Sequence, residues 1–502
     1  MKRKTAIWIL ILVVASGVAL RSWHLTARSL WFDEAFSWRL VEFPFSEMIA
    51  RAATDVHPPL YYVILRGWTE IFGTSLVGLR SFSVTLAGAT LLAAYLFTTT
   101  ATGRRSVGVV AAALLAASGW QAAFAWEARM YTLGTFLALI SSWLLLKAVR
   151  RQNLYLWALY SIVAAAFAYT HYFAFFTLFA HGLFVLAALI MRTRWRVGEM
   201  LQSPLLWSAL GAAILVIGFY LPWIPTFITQ NSQVQQSYWV PPIGGWSIPD
   251  TFYRMYVPTS GIPSHAGIGI FLTSLPIIFT IIGWGIVLAG RHARDAKWFV
   301  VILGFVPFLL AIAISFVGQS LYQDRFLVFA NIFIFIALAM LLAQLPRRWY
   351  PWASAVTILL LLTTYWGFWQ ELDIENKPGA HAATTYAFQV HDEGPVVVTS
   401  PFIYFAVIHY LQEEYGNTTE AKLYSETGQL AHFEGGPILT DQDIIGPSVF
   451  DQPNIQNMTL VETSGFGGTK LPLPINWRVI EEKTFPEVFT YQGEVFVRKI
   501  QR

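Results

Sequence analysis

The 502-residue sequence contains no cysteine and few charged residues. Without cysteine the chain can form no disulfide bond, no thiolate metal site and no thiol nucleophile. Only 12% of the residues are charged, where roughly a quarter is usual in soluble proteins, and 56% are hydrophobic. The mean hydropathy of +0.52 agrees with a protein whose solvent is largely lipid, and it excludes an ordinary soluble enzyme.

A nucleic-acid partner is also excluded by the distribution of charge. The formal net charge is +4, but the basic residues form small clusters between apolar runs instead of one patch. Such clusters are typical of membrane topology. Aromatic residues make up 16% of the chain, which suits both headgroup anchors and sites for sugars or lipid chains.

Eleven apolar stretches have the length of about 20 residues that a helix needs to cross the hydrocarbon layer. They are residues 5–23, 79–101, 106–126, 131–148, 154–172, 173–191, 205–228, 267–289, 298–317, 326–345 and 351–369. The first is expected to be a retained anchor, because no small-x-small cleavage pattern follows it.

Six basic clusters orient these spans. They are Lys2/Arg3/Lys4, Arg104/Arg105, Lys147/Arg150/Arg151, Arg192/Arg194/Arg196, Arg291/Arg294/Lys297 and Arg347/Arg348. All fall on the N-terminal side of the membrane, which the positive-inside rule makes cytoplasmic, in the cell or inner membrane. Residues 58–72 are left out of the spans, because the stretch is short and contains Arg66 and Glu70; a juxtamembrane or re-entrant helix is predicted there.

The predicted fold class is an all-α polytopic membrane domain, residues 1–370, followed by a soluble, extracytoplasmic α/β domain, residues 371–502. Strands are predicted at 395–400, 477–483 and 494–499, and a helix at 402–414. A second interfacial helix is predicted within the first external loop, residues 24–78. The outer segment 229–266 shows little helical periodicity and is either a substrate-contacting lid or a connector.

Four clusters of ionisable residues fall at the outer ends of the spans, where charge is costly unless it serves a purpose. The first is the pair Asp33 and Glu34, suited to general-base catalysis or to binding a divalent cation. The pair could equally be a solvated turn or a favourable helix N-terminus. The second contains His57, which could bind a cation, bond to a carboxylate or cap the helix that follows.

The third cluster is Trp126-Glu-Ala-Arg-Met-Tyr. Glu127 and Arg129 could neutralise each other, or could act as a second acid and a phosphate clamp. The fourth is Tyr322-Gln-Asp-Arg-Phe, in which Arg325 is either a snorkelling anchor or a contact to a lipid phosphate.

Taken together, the segments resemble the integral-membrane glycosyltransferases of the type C fold (GT-C), in particular the protein O-mannosyltransferase and aminoarabinose transferase superfamily with its RgtA/B/C/D-like bacterial members. The resemblance covers residues 1–370 and rests on the order of five motifs. They are Leu30-Trp-Phe-Asp-Glu-Ala, His57-Pro-Pro-Leu-Tyr-Tyr, Phe72-Gly-x5-Leu79-Arg80, Trp126-Glu-Ala-Arg-Met-Tyr and Arg325 in its context.

The resemblance implies transfer of a sugar from a polyprenyl-phosphate-linked donor to a hydroxyl of an extracytoplasmic glycan, lipid or protein. It further implies a role for each motif residue. Asp33 would be the general base, supported by Glu34, with Glu127 as a second acid; Arg129, Arg325 and Arg80 would contact the donor phosphate; His57, Tyr131 and Tyr322 would line the cavity. Asp33, Glu34 and His57 could hold a divalent cation, Mg²⁺ or Mn²⁺, and metal dependence stays open.

Two other classes of protein compete with this interpretation. A transporter or lipid flippase would have a similar number of spans, although transporters concentrate ionisable residues near mid-membrane and show repeated halves. A non-catalytic scaffold would present the C-terminal domain but leaves the charged clusters at the outer ends without a purpose. Sugar, acceptor and carrier length are not determined by the sequence.

Overall fold

A computed structural model describes residues 1–236, 239–259, 261–290, 295–391, 394–416, 420–428 and 430–502. Two members of the predicted basic clusters, Arg291 and Arg294, lie outside the described residues. The chain divides into two compact units. The helical unit comprises Met1–Trp23, His57–Tyr61 and Phe82–Phe368; the mixed unit comprises His24–Val56, Tyr62–Ser81 and Trp369–Arg502.

Twenty α-helices occur in the described residues. In chain order they are α1 (Arg3–Ser22), α2 (Phe32–Glu42), α3 (Phe45–Thr54), α4 (Leu60–Phe72), α5 (Leu76–Thr102), α6 (Arg105–Ala117), α7 (Gly119–Ala125), α8 (Tyr131–Arg151), α9 (Leu154–Ala168), α10 (Ala174–Thr193), α11 (Val197–Gln202), α12 (Pro204–Tyr220), α13 (Ile224–Gln236), α14 (Ser247–Tyr256), α15 (Ile268–Ala289), α16 (Ala296–Val317), α17 (Val328–Leu342), α18 (Tyr350–Leu372), α19 (Gly379–Val390) and α20 (Pro401–Tyr415).

The eleven predicted spans all have helical counterparts. Nine helices of the described residues are long and apolar enough to cross a membrane, and the bent pair α6 and α7 makes ten. The shorter apolar helix α9 accounts for the remaining predicted span. The chain is therefore a multi-pass membrane protein. Helix α4, with 13 residues, lies within residues 58–72, where a helix too short for a span is predicted, and α3 is the second helix predicted in the first external loop.

The segment 229–266 contains more helix than its sequence indicates. Helix α13 extends into it as far as Gln236, and α14 forms a second helix. Thr251 and Met255 of α14, one turn apart, are both buried. The segment 229–266 as a whole shows little periodicity, but the short stretch of α14 has one apolar face, and the tertiary burial of that face stabilises the helix.

The bend between α6 and α7 measures 65° and leaves carbonyl groups of α6 without helical donors. Arg21, at the end of α1, supplies hydrogen-bond donors to these carbonyl groups inside the helical unit. Its Nη1 donates to the Ala116 oxygen and its Nη2 to the Leu115 oxygen, both at 2.9 Å. Ser118 caps α7 by accepting from the Gln121 N–H. The break is thus held by a buried guanidinium and a serine cap.

The mixed unit contains a six-stranded sheet in the order β3-β2-β1-β4-β6-β5. The strands are β1 (Val396–Val398), β2 (Ala421–Tyr424), β3 (Ile444–Ile445), β4 (Asn457–Thr463), β5 (Arg478–Pro486) and β6 (Glu494–Gln501). Strands β1 to β4 are parallel, whereas β6 is antiparallel to both β4 and β5. The predicted α/β architecture is confirmed, including β1, β5, β6 and α20.

Helix α2 packs on α20 within the mixed unit. The hydroxyl of Tyr410 accepts from the Leu30 N–H at 2.6 Å, Trp38 meets His409 edge-on with ring centroids 4.9 Å apart, and Phe32 meets Phe402 at 5.1 Å. The segment that carries the Asp33-Glu34 pair is thereby built onto a helix encoded nearly 400 residues later in the chain.

Glu487 makes the stability of the mixed unit depend on pH. Its Oε1 accepts from the Ala380 N–H at 2.7 Å, but burial raises the pKa of Glu487 to about 7 despite the opposing charge of Arg28. The folded chain therefore keeps a proton that the unfolded chain releases. Because the pKa is raised, the free energy of unfolding is highest below the unfolded value near 4.5 and falls as pH rises towards 7.

We expect the melting temperature of the purified protein to fall by roughly 2–4 °C between pH 5 and pH 7.5, measured by intrinsic fluorescence. Glu487→Gln should flatten this part of the profile, because the amide cannot lose a proton. Glu375→Gln, at an exposed site in the same unit, should leave the profile unchanged. An identical slope in the Glu487→Gln variant would contradict the assignment.

Candidate functional site

The adjacent carboxylates Asp33 and Glu34 occupy different environments in the first turn of α2. Successive helical residues are rotated by about 100°, so the two side chains point in different directions. Glu34 is fully buried, whereas Asp33 is partly exposed. Both charges lie at the N-terminal end of a helix, where the helix dipole favours them. The pair thus divides into an inward and an outward carboxylate.

The inward carboxylate, Glu34, forms a buried ion pair with Arg80 of α5. Arg80 Nε donates to Glu34 Oε1 at 2.8 Å and Nη2 to Oε2 at 2.7 Å, a two-pronged geometry. Arg28 Nη2 lies 3.4 Å from the same Oε2. The charge of Glu34 is therefore compensated within the mixed unit.

The remaining donors of Arg80 hold the backbone that leads into α2. Nη1 donates to the oxygens of Leu25 at 2.7 Å and Arg28 at 2.9 Å, and Nη2 donates to Ser29 at 3.1 Å. With the two bonds to Glu34, all five N–H groups of this fully buried guanidinium have acceptors. These contacts favour a positioning role for Arg80 over the phosphate contact that its motif implies.

A second group of predicted residues meets in the helical unit around His57. Arg129 Nη2 lies 3.4 Å from His57 Nε2, and Arg129 is only 3% exposed. Pro58 and Pro59 have no N–H, so Leu60 supplies the first backbone donor after His57. It bonds to the Tyr169 oxygen at 3.0 Å, which fixes the His57 segment against the turn between α9 and α10.

That turn contributes His171, which is not among the site residues predicted from the sequence. Its ring centroid lies 6.3 Å from that of His57 and 6.2 Å from that of Tyr131. Burial, with the charges of His57 and Arg129, lowers the pKa of His171 well below the ordinary histidine range. His171 is thus neutral at physiological pH. Its only signal in the sequence is a polar Thr170-His171-Tyr172 interruption between two apolar runs.

His171 also joins this group to the segment that contains Arg325. Its ring lies 5.3 Å from Phe326 and 5.1 Å from Phe329. Phe329 fits against Gly134 of α8, where a Cβ would come within 2.3 Å of its ring. The contacts of one buried histidine therefore connect the third and fourth sequence clusters with His57.

Arg325 is arranged for cation–π contact, with its guanidinium carbon 4.7 Å from the centre of the Trp239 ring. Its neighbour Asp324 is paired with Arg254, Nη1 to Oδ2 at 2.9 Å. Tyr322 is buried, and that burial, with the charges of Asp324 and Asp250, raises the pKa of its phenol. Tyr322 therefore stays protonated near neutral pH.

Glu127 lies in the irregular turn between α7 and α8. Its backbone oxygen accepts from the Ser83 hydroxyl at 2.6 Å, and its side chain is partly exposed. The preceding Trp126 donates its Nε1–H to the Arg21 oxygen at 3.1 Å. The turn is held from α5 and α1, which fixes the backbone of Glu127.

No group of three or more His, Asp or Glu side chains suited to hold a metal ion occurs among the described residues. The three metal-ligand candidates are also divided between the units: Asp33 and Glu34 belong to the mixed unit and His57 to the helical unit. The suggestion of a divalent cation stays a hypothesis from the resemblance.

Comparisons with known proteins give a family match for residues 56–223 and structural matches for almost the whole chain. Residues 56–223 match the family model described as dolichyl-phosphate-mannose-protein mannosyltransferase. A search of curated proteins finds no significant match. Among solved structures, apo ArnT from Cupriavidus metallidurans aligns over 98% of both chains with a TM-score of 0.57 and 14% identity.

The structure of the same ArnT bound to undecaprenyl phosphate aligns over 97% of both chains, with a TM-score of 0.55 and 13% identity. The chain has the GT-C fold. The resemblance predicted from the motifs is confirmed at this level. The alignment covers 98% of this chain, whereas the predicted resemblance covers residues 1–370.

Within this GT-C fold, seven of the nine predicted site residues form two sets, and Glu127 and Tyr322 belong to neither. Asp33, Glu34 and Arg80 come together in the mixed unit, while His57, Arg129, Tyr131 and Arg325 are linked in the helical unit through His171 and Phe326. The first set depends on the contacts of α2, and the second on the turn between α9 and α10.

Proposed function

We propose that this protein is a membrane glycosyltransferase that moves a sugar from a polyprenyl-phosphate-linked donor to a hydroxyl of an extracytoplasmic glycan, lipid or protein. The observation that carries the proposal is the fold likeness, over almost the whole chain, to ArnT in a structure bound to undecaprenyl phosphate. The family match over residues 56–223 supports it, since that model describes a transferase with a dolichyl-phosphate donor.

Asp33 is the general base of the proposed reaction. Its carboxylate takes the proton of the acceptor hydroxyl, whose oxygen forms a bond to the anomeric carbon of the sugar. The bond between that carbon and the phosphate oxygen breaks, and the electron pair leaves with the polyprenyl phosphate. A single displacement of this kind inverts the anomeric centre. Glu34 supports the base by anchoring α2 to Arg80, and Glu127 is the second acidic group.

Arg129 and Arg325 stabilise the leaving phosphate in this scheme. A guanidinium suits a phosphate because it is permanently charged and presents several N–H groups. His57 and neutral His171 flank Arg129, while Tyr131 and Tyr322 supply phenols. The proposed orientation puts the N-terminus in the cytoplasm and the C-terminal domain outside the cell membrane, as the basic clusters indicate.

The function is tested with purified protein in liposomes that contain polyprenyl-phosphate sugars, by measuring release of free polyprenyl phosphate. We expect release to depend on an added hydroxyl acceptor and on active protein. Movement of the donor between leaflets without cleavage would indicate a flippase. Neither cleavage nor movement with any donor would overturn the proposal and favour a scaffold.

Arg129→Met is expected to raise the KM for the lipid-linked donor by roughly 10- to 100-fold, because a charged hydrogen bond to phosphate is lost. Arg129→Lys should recover part of this loss, since it restores the charge but not the fork geometry. Arg105→Met, at an exposed site at the start of α6, is the control. An unchanged donor KM in Arg129→Met would remove this residue from the phosphate site.

A further inference from the structure

The sheet of the mixed unit has a crevice at the carboxyl ends of its parallel strands. The crevice has a volume of about 430 Å³. Its walls come from residues that follow three strands: Thr399 to Phe402 after β1, Tyr424 and Glu426 at the end of β2, and Phe466 to Thr469 with Leu471 and Pro472 after β4. A volume of this order suits a small ligand of one to three rings.

The crevice lies where the strand order reverses. From β1 the chain passes through α20 to β2 and then outward to β3, before it returns to form β4 on the opposite side of β1. The connections that follow β1 and β4 therefore leave the sheet in opposite directions and open a gap between them. Ligands of open α/β sheets bind at such reversal points.

The wall after β4 has a tightly specified backbone. Gly465 is packed so closely that a Cβ would lie 2.0 Å from the Gln492 oxygen, and a Cβ on Gly468 would lie 2.4 Å from the Thr463 oxygen. Between them, Phe466 adopts a left-handed conformation with φ of 55°, which is uncommon for an aromatic residue. The loop thus holds a strained phenylalanine in one place.

The phenylalanine that this loop presents forms an aromatic surface. Phe466 stacks on Phe402 with ring centroids 4.6 Å apart and an interplanar angle of 23°, and it stays 39% exposed. Tyr491 supports it edge-on at 5.9 Å. A partly exposed ring whose orientation is fixed by neighbouring rings can stack against the C–H face of a sugar.

The far end of the wall is anchored by a buried ion pair. Arg498 is paired with fully buried Glu462, and its Nη2 donates to the Leu471 oxygen at 2.8 Å. Glu462 Oε1 accepts from the Leu471 N–H at 2.6 Å. Both backbone polar groups of Leu471 are therefore held by β4 and β6, so the crevice is preformed.

The polar lining consists of hydroxyl groups and carboxylates. Thr399, Ser400 and Thr469 contribute hydroxyls, and Glu426 and Glu434 contribute carboxylates. Ser400 is 7% exposed and stands at the start of α20, yet its side chain makes no capping hydrogen bond to that helix. A serine at this position usually caps, so the fold leaves the Ser400 hydroxyl for another use.

The charge of the lining selects the class of ligand. Among the described residues, no Lys or Arg lines the crevice. Lys470 lies in the loop that forms the wall after β4, but its ammonium is paired with Glu482. Two carboxylates without a facing cation disfavour phosphates and nucleotides. They suit a molecule that is rich in hydroxyl or amino donors.

We propose that this crevice binds carbohydrate, namely an uncharged or amino-bearing oligosaccharide that stacks on Phe466 and donates hydrogen bonds to Glu426 and Glu434. None of the residues assigned to the proposed transfer chemistry lines the crevice. A glycan held here would be retained by the protein even when no sugar transfer occurs.

The test uses the full chain in lipid nanodiscs and saturation-transfer NMR with chitotriose, chitosan trimer, mannotriose and maltotriose. Inorganic phosphate is the anionic probe, and its binding is followed by broadening of its phosphorus NMR signal. We expect at least one oligosaccharide to bind. Phe466→Asn should weaken that binding about tenfold, because it removes the aromatic surface while asparagine tolerates the left-handed backbone. Ser400→Ala should weaken it by a smaller factor.

Tyr415→Ala is the matched control, since it removes a half-exposed aromatic ring at the opposite end of α20. Its oligosaccharide affinity should equal that of the unmodified protein. The proposal is overturned if no oligosaccharide of the panel binds, if phosphate alone binds, or if folded Phe466→Asn keeps full affinity. Donor cleavage is measured on the same preparations, and Phe466→Asn should leave it unchanged. A failure of oligosaccharide binding is thereby distinguished from a failure of the proposed transferase function.

Discussion

Asp33→Asn is expected to lower the rate of sugar transfer by at least about 1,000-fold while the protein still folds. The amide is nearly isosteric with the carboxylate but cannot accept the proton of the acceptor hydroxyl, and loss of a general base typically costs about 10²–10⁴ in rate. The measurement is kcat for polyprenyl phosphate release in liposomes, with the melting temperature recorded on the same preparation.

The environment of Asp33 makes this substitution informative. The side chain is partly exposed at the start of α2, and the buried ion pair with Arg80 belongs to Glu34, so replacing Asp33 leaves that pair in place. Asp33→Glu provides the companion variant, because it keeps the carboxylate and moves it by one methylene; partial activity is expected. If Asp33→Asn transferred sugar at the original rate, Asp33 would have no role in the chemistry and Glu127 would become the first alternative.

Arg80→Met is expected to have the largest effect on stability. Removing one member of a buried ion pair costs about 3–5 kcal/mol, because the other charge stays buried without compensation. Here the loss is compounded, since the carbonyls of Leu25, Arg28 and Ser29 also lose their donor. We expect a much lower yield of folded protein and a melting temperature lower by several degrees, measured in detergent.

Two further variants distinguish the effect of the buried ion pair on stability from the effect of removing a surface charge. Arg196→Met removes the arginine of an exposed pair with Glu199 and should change the melting temperature very little. The double variant Arg80→Met with Glu34→Leu removes both buried charges and should regain part of the stability, because no isolated charge is left. Stability of Arg80→Met equal to that of Arg196→Met would show that the buried pair does not hold the α2 segment.

The contrast between Asp33 and Glu34 illustrates where prediction from sequence ends. Adjacent acids after a membrane span mark a segment of interest, but both residues have the same chemistry in the sequence. Only the rotation of α2 against α5 and α20 separates them into a buried ion-pair member and a partly exposed carboxylate. Arg80 is a second example. Its motif implied a contact to the donor phosphate, but its five hydrogen-bond acceptors favour a role in positioning α2.

Strand β4 and His171 were missed for a related reason. The sequence Asn457-Met-Thr-Leu-Val-Glu-Thr places Glu462 in a central strand, which is unfavourable until Arg498 compensates its charge from 36 residues away. His171 is one polar residue between apolar runs, and its meaning depends on contacts with His57, Tyr131 and Phe326 from three other segments. The contacts of Glu462 and of His171 cannot be identified from the residues that adjoin them in the sequence.

The sequence by itself determined that this is a multi-span membrane protein with an α/β domain at its C-terminus and that its motifs belong to a GT-C fold. Apolar length and composition suffice for the spans, because the bilayer imposes a local requirement on each of them. The GT-C fold was predicted from the resemblance of the motifs. The tertiary structure alone decided which acid is buried, which arginine holds the backbone, and how the crevice beside β1 and β4 is lined. These depend on pairings between distant residues, and burial makes the free energy of each charge depend on its partner.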